Sequence, residues 1–368
     1  MDRETLSGGA TDGGEAQAAT PETLTIGGGQ LRASVSTTGA QLMSLSLGGV
    51  EYLWQGDPAW WPRRSPVLFP IVGSLRTGTV SAEGPCPMGR HGVARGQAFR
   101  VVEHGGAHVA LECEATENTL AVYPYRFRLR MSYTVTGEAT LEQRFEVTNA
   151  GEVPLPYVVG GHPAFALPLG GAASVDGTQD VRASRQRDAK AEVTCGASAG
   201  APGDTPESSG RATMGHAEAC GNNREHENPA FEGCSLSFAR AWSACSPTMV
   251  TGELLDFGQP IPVIEKADSL PFRRGLFATD TLVLRDVPEH TVALLDKRTG
   301  RSVRLDFPGF DYLGVWSAEH GAAPFVAVEP WTGCATATDE GARLEEKRGM
   351  RLLAPGASAT HAFTMTLA

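Results

Sequence analysis

Phe127-Arg128-Leu129-Arg130-Met131-Ser132-Tyr133-Thr134-Val135 alternates apolar and polar residues at every step. Side chains on a strand point to opposite faces with period two, so this stretch reads as a strand with one buried and one wet face. Its neighbour repeats the pattern: Leu141, Phe145 and Val147 are set against Glu142, Arg144 and Glu146, and a turn through Gly137 joins the two as a hairpin. The acidic outer face of the second strand is expected across from the basic outer face of the first, a favourable cross-strand pairing. Further out, the same alternation occurs at Val109, Leu111 and Cys113 and at Val303, Leu305 and Phe307, while Gly48-Gly49 makes a two-residue turn between Leu47 and Val50. Amphipathic helices of more than three turns do not stand out. Many short strands without intervening helices predict an all-β sandwich or barrel rather than a βαβ fold.

One segment breaks this grammar. From Arg182 to Ala230 the only large apolar residues are Val193 and Met214, amid Gly, Ala, Ser, Pro, Asn and charges, so it cannot build a core. It is expected to be a disordered or lid-like insertion at about 182–230, interrupting one domain that spans 21–368. Residues 1–20 hold one large aliphatic side chain, Leu6, besides Met1; they are expected to be a disordered tail and lack the apolar run of a signal peptide.

At 368 residues, 41% apolar and 20% charged, the composition is that of a globular protein. The 31 Lys plus Arg against 42 Asp plus Glu leave a formal charge of −11, which repels phosphate backbones and anionic lipid surfaces, so neither nucleic acid nor membrane is an expected partner. No stretch approaches the roughly 18 uninterrupted apolar residues of a membrane span. The seven cysteines (86, 113, 195, 220, 234, 245 and 334) are odd in number and scattered, without a Cys-x-x-Cys or a neighbouring His pair. They predict a reducing, cytoplasmic location, with neither a zinc site nor a disulfide framework.

Four stretches place polar groups where strand propensity would not: Trp61 to Pro70, Arg90 to Arg95, Gly160 to Phe165, and Val328 to Gly333. His162, between Gly160-Gly161 and Pro163 at the exit of an apolar run, is either a turn histidine satisfied by backbone carbonyls or a proton donor and acceptor near neutral pH. Glu329 follows the apolar run Pro324 to Val328, where an unpaired carboxylate would be costly. Either an arginine pairs it, or a raised pKa suits it to act as a base. His91, with Arg95 four residues on, is either a loop ligand for polar oxygens or a surface histidine, and either Arg63 or Arg64 could point into a cleft, the other being a solvated strand-end charge. No Gly-x-Ser-x-Gly elbow supports serine nucleophilic chemistry, and no Gly-x-x-x-x-Gly-Lys cradles a phosphate.

Together these stretches resemble the aldose 1-epimerase (mutarotase) family, in particular its LacX-like branch. The resemblance rests on Pro66 to Pro70, His91 to Arg95, Gly160 to Phe165 and Glu329 to Trp331, joined by Leu276 to Asp280, Asp306 to Phe310 and Leu313 to Ser317. It implies a large antiparallel β-supersandwich with a sugar cleft on a concave sheet face. It further implies interconversion of the α and β anomers of an aldose by acid/base ring opening, without cofactor or metal, and a small-molecule sugar as partner. Position by position, His162 matches the general acid, Glu329 the general base, and Arg63, His91 and Asp280 the substrate ligands. Arg64, Arg95 and Trp331 are further candidates for substrate contact, and Trp316 or Trp331 for stacking on a sugar face. Val93 replaces the usual Phe, Gly96 stands where a polar residue is common, and the insertion is atypical. The alternatives are a hexose-phosphate mutarotase, with Arg63, Arg64 or Arg76 on the phosphate, a non-catalytic carbohydrate-binding protein on the same fold, and an interaction protein working through the insertion. Either a monomer or a homodimer is compatible.

Overall fold

The strand Phe127–Val135 pairs antiparallel with Thr140–Asn149, Leu129 opposite Val147 and Arg130 opposite Glu146. The two outer faces lie across from each other as the sequence predicts, but the ion pairs form elsewhere. Arg130 reaches Glu103 at 2.5 Å and Arg128 reaches Glu112 at 3.6 Å, both on the opposite flank of the strand, where Arg128 pairs diagonally on the neighbouring strand and Arg130 reaches one strand further. Inward, Leu129, Met131 and Tyr133 are fully buried, and the Tyr133 hydroxyl meets its one demand by donating to the Ala40 carbonyl at 2.7 Å.

The structure is a computed structural model that describes residues 21–171 and 228–368. The expected tail at 1–20 lies outside the described residues, as does the expected insertion up to residue 227. Residues 228–230, included in that insertion on composition, are ordered. Asn228 is buried, its amide donates to the Gly321 and Ala323 carbonyls at 2.9 and 2.8 Å, and its Oδ1 accepts from the Ala230 amide, capping the 3-10 turn Pro229–Phe231.

Among the described residues the main sheet has nine antiparallel strands. Their order is Leu254–Pro271, Cys234–Val250, Thr291–Asp296, Arg301–Asp306, Ser358–Leu367, Thr140–Asn149, Phe127–Val135, His108–Glu114 and Arg100–His104. A four-stranded sheet forms from residues 23–51, with Gly48 and Gly49 at φ 59° and 81° making the tight turn before Val50. A six-stranded sheet is built on Phe325–Trp331, flanked on one side by Tyr312–Trp316 and then Leu282–Arg285, and on the other by Gly160–Gly161 and then Val67–Leu68, with Ala164–Ala166 also pairing Phe325–Trp331. This is an all-β sandwich, and among the described residues its two α-helical pieces are four residues each.

Alternation along the six-stranded sheet positions the site. Val67, Leu282, Leu284, Leu313, Val315, Val326 and Val328 point into the large core that runs from Leu24 to Leu367. The residues between them, Leu68, Val283, Tyr312 and Trp331, and Ala164, Phe325 and Ala327, form two smaller clusters on the opposite face. One face of the sheet therefore closes the sandwich, and the other is free to line a cleft.

Candidate functional site

Glu329 belongs to this second face. Its strand pairs Gly314 across from it, and Pro330 behind it restricts its own backbone to the extended region. His162 sits between two antiparallel rungs, Gly160 opposite Trp331 and Ala164 opposite Ala327. Counting two residues inward from either rung sets His162 opposite Glu329, and their side chains meet with His162 Nε2 3.3 Å from Glu329 Oε2. The two glycines before His162 permit this approach: a Cβ on Gly160 would lie 2.7 Å from the Trp331 ring, and one on Gly161 2.6 Å from the Phe363 ring.

Both groups are buried, His162 at 6% and Glu329 at 1% exposure. Burial raises the Glu329 carboxyl well above the ordinary carboxylate range, with the Arg90 charge opposing it in part. Burial likewise lowers His162, and the charges of Arg90, Arg95 and Arg63 push in the same direction. The resting pair is a neutral acid beside a neutral imidazole, holding one ionisable proton between them. Glu329 Oε2 and His162 Nδ1 are buried without a hydrogen-bond partner among the described residues, so both keep bonding capacity for a ligand.

The surrounding residues fix the imidazole rings. Trp61 stacks on His162 with ring centroids 4.9 Å apart, while Trp316 and His91 approach edge-on at 5.6 and 5.7 Å. His91 adopts φ 67°, its amide donates to the Gly73 carbonyl at 2.8 Å, and the Gly73 amide donates to its Nδ1 at 3.1 Å. Nδ1 is thus the acceptor, which leaves the proton on Nε2 as a donor. His91 is held neutral by burial, reinforced by His162 and the arginines.

His162, Glu329, His91, Arg95, Trp316 and Trp331 all line one cavity of about 220 Å³, room for one small molecule. Arg63 and Asp280 are not among its lining residues. The Arg63 charge acts on both histidines, and Asp280, which accepts from the Thr281 hydroxyl at 2.8 Å, is close enough for its charge to raise Glu329. Arg64 is not among the lining residues, and its guanidinium donates to the Met43 carbonyl at 2.6 Å. Arg76 is likewise tied to the carbonyls of Ala337 and Thr338.

Among the residues of the wall that the sequence does not single out are Arg90 and Trp61. Each stood in a quoted stretch beside the residue that drew attention. Met249 and Leu255 also line the cavity, from the tip of the long hairpin formed by Cys234–Val250 and Leu254–Pro271. That tip is pinned over the cleft where the Leu255 amide donates to Thr336 O at 2.9 Å and the Thr338 amide to Leu255 O at 2.8 Å. Among the described residues no group of three or more His, Cys, Asp or Glu is placed to hold a metal ion, and the five cysteines there are free thiols. No helix among them is long and apolar enough to cross a membrane.

Comparison with known proteins converges on one group. A sequence model of the family described as aldose 1-epimerase matches residues 22–190. The plasmid-encoded LacX protein of Lactococcus lactis subsp. lactis is 30% identical over 92% of this chain and 96% of its own length, and the chromosomal LacX of the same organism is 29% identical over the same shares. Among solved structures, a galactose mutarotase-like protein from Lactobacillus casei superposes with TM-score 0.73 at 24% identity, covering 94% of this chain and 100% of the other. A galactose mutarotase related enzyme from Lactobacillus acidophilus gives 0.72 at 24%, covering 94% and 97%.

Proposed function

Because the chain belongs to the aldose 1-epimerase family, we propose that it interconverts the α and β anomers of an aldose, with Glu329 as general base and His162 as general acid. The observation that carries this reading is the 3.3 Å approach of two buried, oppositely perturbed titratable groups on the wall of one small cavity. Pairs of groups whose environments push their pKa values apart are a mark of acid/base sites.

Anomerisation needs a proton removed from the anomeric hydroxyl while another is delivered to the ring oxygen. The resting neutral pair and the ion-paired form, carboxylate beside imidazolium, hold the same single proton, so the reactive form arises by passing it across the contact. A bound sugar supports that form, because its hydroxyls solvate the carboxylate that burial has desolvated. Glu329 then takes the O1 proton, the O1 electrons form the carbonyl as the C1–O5 bond breaks, and O5 takes its proton from His162. Rotation about C1–C2 presents the other carbonyl face. O5 attacks it, His162 recovers the O5 proton and Glu329 returns its own to O1, which restores both groups. His91 Nε2–H is the donor placed to orient a sugar oxygen, and Trp61 holds the plane of the His162 ring.

The test is anomer equilibration of freshly dissolved α-glucose and α-galactose by polarimetry, wild type beside His162→Ala. Each positioned acid or base contributes roughly 10²- to 10⁴-fold, so the variant is expected to lose at least about 100-fold. Equal rates in wild type and variant would refute the assignment, and sugar binding without acceleration in wild type would mark a carbohydrate-binding protein on the same fold.

A further inference from the structure

The long hairpin serves two sheets. Its first rungs lie in the nine-stranded sheet, where Cys234 to Phe238 pair with Val292 to Asp296. Past the register shift between Ser237 and Trp242 that pairing has ended, as expected of a bulge that re-aims a strand out of its own sheet. The far half meets the six-stranded sheet instead: the buried Ser246 hydroxyl accepts from the Val283 amide at 2.9 Å, and Leu255 bridges Ala337, in the segment after Phe325–Trp331. This detour is what brings Met249 and Leu255 into the cavity wall, whose other lining residues come from the six-stranded sheet and from connecting segments.

The turn that closes the hairpin is tied down by a side chain of its own. Glu253 takes φ 58° beside Gly252 at 81°, a left-handed conformation that is uncommon for a residue bearing a side chain. Glycine would suit that backbone better, so the glutamate contributes through its carboxylate. The carboxylate meets Arg90 at 3.3 Å and accepts from the Ser74 hydroxyl. Arg90 is the chain neighbour of His91, and Ser74 follows Gly73, whose amide and carbonyl hold the His91 ring and backbone. Glu253 therefore fastens the hairpin tip to the two segments that fix His91.

At about 220 Å³ the cavity is smaller than the roughly 300–1,000 Å³ of pockets that take drug-sized ligands, a size for one ring. We propose that Met249 and Leu255 restrict the substrate to a monosaccharide, and that Glu253 is the positioning residue that keeps this wall in place. A reducing-end disaccharide presents the same anomeric centre, so discrimination against it falls to the wall and not to the His162 and Glu329 pair. The size limit rests on the anomerisation reading; the tied wall does not.

Two readouts keep those apart, each on wild type, Leu255→Ala and Glu253→Asn, with thermal melts confirming that every variant is folded. Leu255→Ala trims the wall and keeps its main-chain bonds. Asparagine tolerates the left-handed turn but is too short and uncharged to replace the tie. Acrylamide quenching of tryptophan fluorescence reports access to Trp61, Trp316 and Trp331 in the wall, and is expected to rise in Glu253→Asn. Anomer exchange by NMR is expected to favour glucose over maltose in wild type by at least about tenfold in kcat/KM. The maltose-to-glucose ratio is expected to rise about tenfold in Leu255→Ala, and in the same direction in Glu253→Asn, whereas general loosening of the fold would lower both sugars together and leave the ratio unmoved. Maltose turned over as well as glucose by wild type, or a ratio unchanged in both variants, would overturn the size limit. Quenching unchanged in Glu253→Asn would overturn the role of Glu253. Raised quenching in Glu253→Asn with no sugar accelerated by any of the three would uphold the tied wall and overturn the anomerisation reading instead.

Discussion

Replacing Glu329 by Gln preserves the side chain's shape and removes its mobile proton, and the consequence for activity and stability runs in opposite directions. The wild-type carboxyl is 1% exposed and is held protonated by burial, whereas in the unfolded chain it titrates near its ordinary 4.5. The folded value is raised, so the stability tied to this proton is complete below about 4.5 and is lost as pH rises through the folded value. Above the ordinary value the folded chain must keep a proton that the unfolded chain releases, a cost that grows with pH until the folded value is passed. The amide has no such cost. Glu329→Gln is therefore expected to melt a few degrees above wild type at pH 7–8, with the gap closing toward pH 5, as read by calorimetry. Anomer exchange followed by NMR is expected to fall by roughly 10²- to 10⁴-fold, a barrier rise of about 3–5 kcal/mol. A variant within threefold of wild-type activity would remove Glu329 from the mechanism. A melting gap that stays flat from pH 5 to pH 8 would show the native carboxyl to be ionised, and the burial argument would fail.

The acid side of the stability profile is set by histidines that the fold desolvates, His91 and His162 buried and His361 half-buried. Burial lowers His91 and His162 and pushes His361 down to about 4, so their stability is complete above about 6.5 and is lost as pH falls through the folded values, and urea midpoints should decline from pH 6.5 toward pH 4. His361→Gln should flatten part of that decline; an unchanged slope would mean that His361 does not contribute. Gly92→Ala places a Cβ 2.3 Å from the Phe69 carbonyl at φ 75° and should cost more than about 1–3 kcal/mol in urea melts, whereas Gly96→Ala, with open space around it, should be nearly neutral. Lys347→Met takes the buried ammonium, 3.2 Å away in wild type, from the Glu340 carboxylate, which keeps Arg348 at 3.6 Å and two backbone amides, and should cost about 1–3 kcal/mol, much of it regained by adding Glu340→Gln; no recovery in the double variant would place the cost in packing instead.

The strands were legible because alternation is local: Phe127 to Val135 carries its own period, and Gly48-Gly49 its own turn. The buried character of Glu329 was legible in the same way, from the apolar run before it and the proline after it. Which residues meet it was not. The contact with His162 depends on a pairing register between segments more than 160 positions apart, and no local pattern encodes that. Arg90, next to His91 in a loop, looks like any solvated cation until the fold turns it into the cleft. The hairpin that brings Met249 and Leu255 to the site is broken by register shifts at Ser237/Trp242 and Ser246/Thr248, which erases the alternation that would have marked its strands. Asn228 was assigned to the insertion on composition alone, since the carbonyls that order it lie on Gly321 and Ala323.

The opposition of His162 to Glu329 makes the site a gauge of sheet alignment. Shifting those strands by one residue would set Gly161 or Pro163 opposite Glu329 and turn the side-chain pattern over to the other face. A chain paired one step out could bury nearly as much apolar surface, keep its β spectrum and pass a compactness test, yet bring no imidazole to the carboxyl. Specific activity after refolding therefore counts correctly aligned molecules, a quantity that circular dichroism and light scattering report only in aggregate.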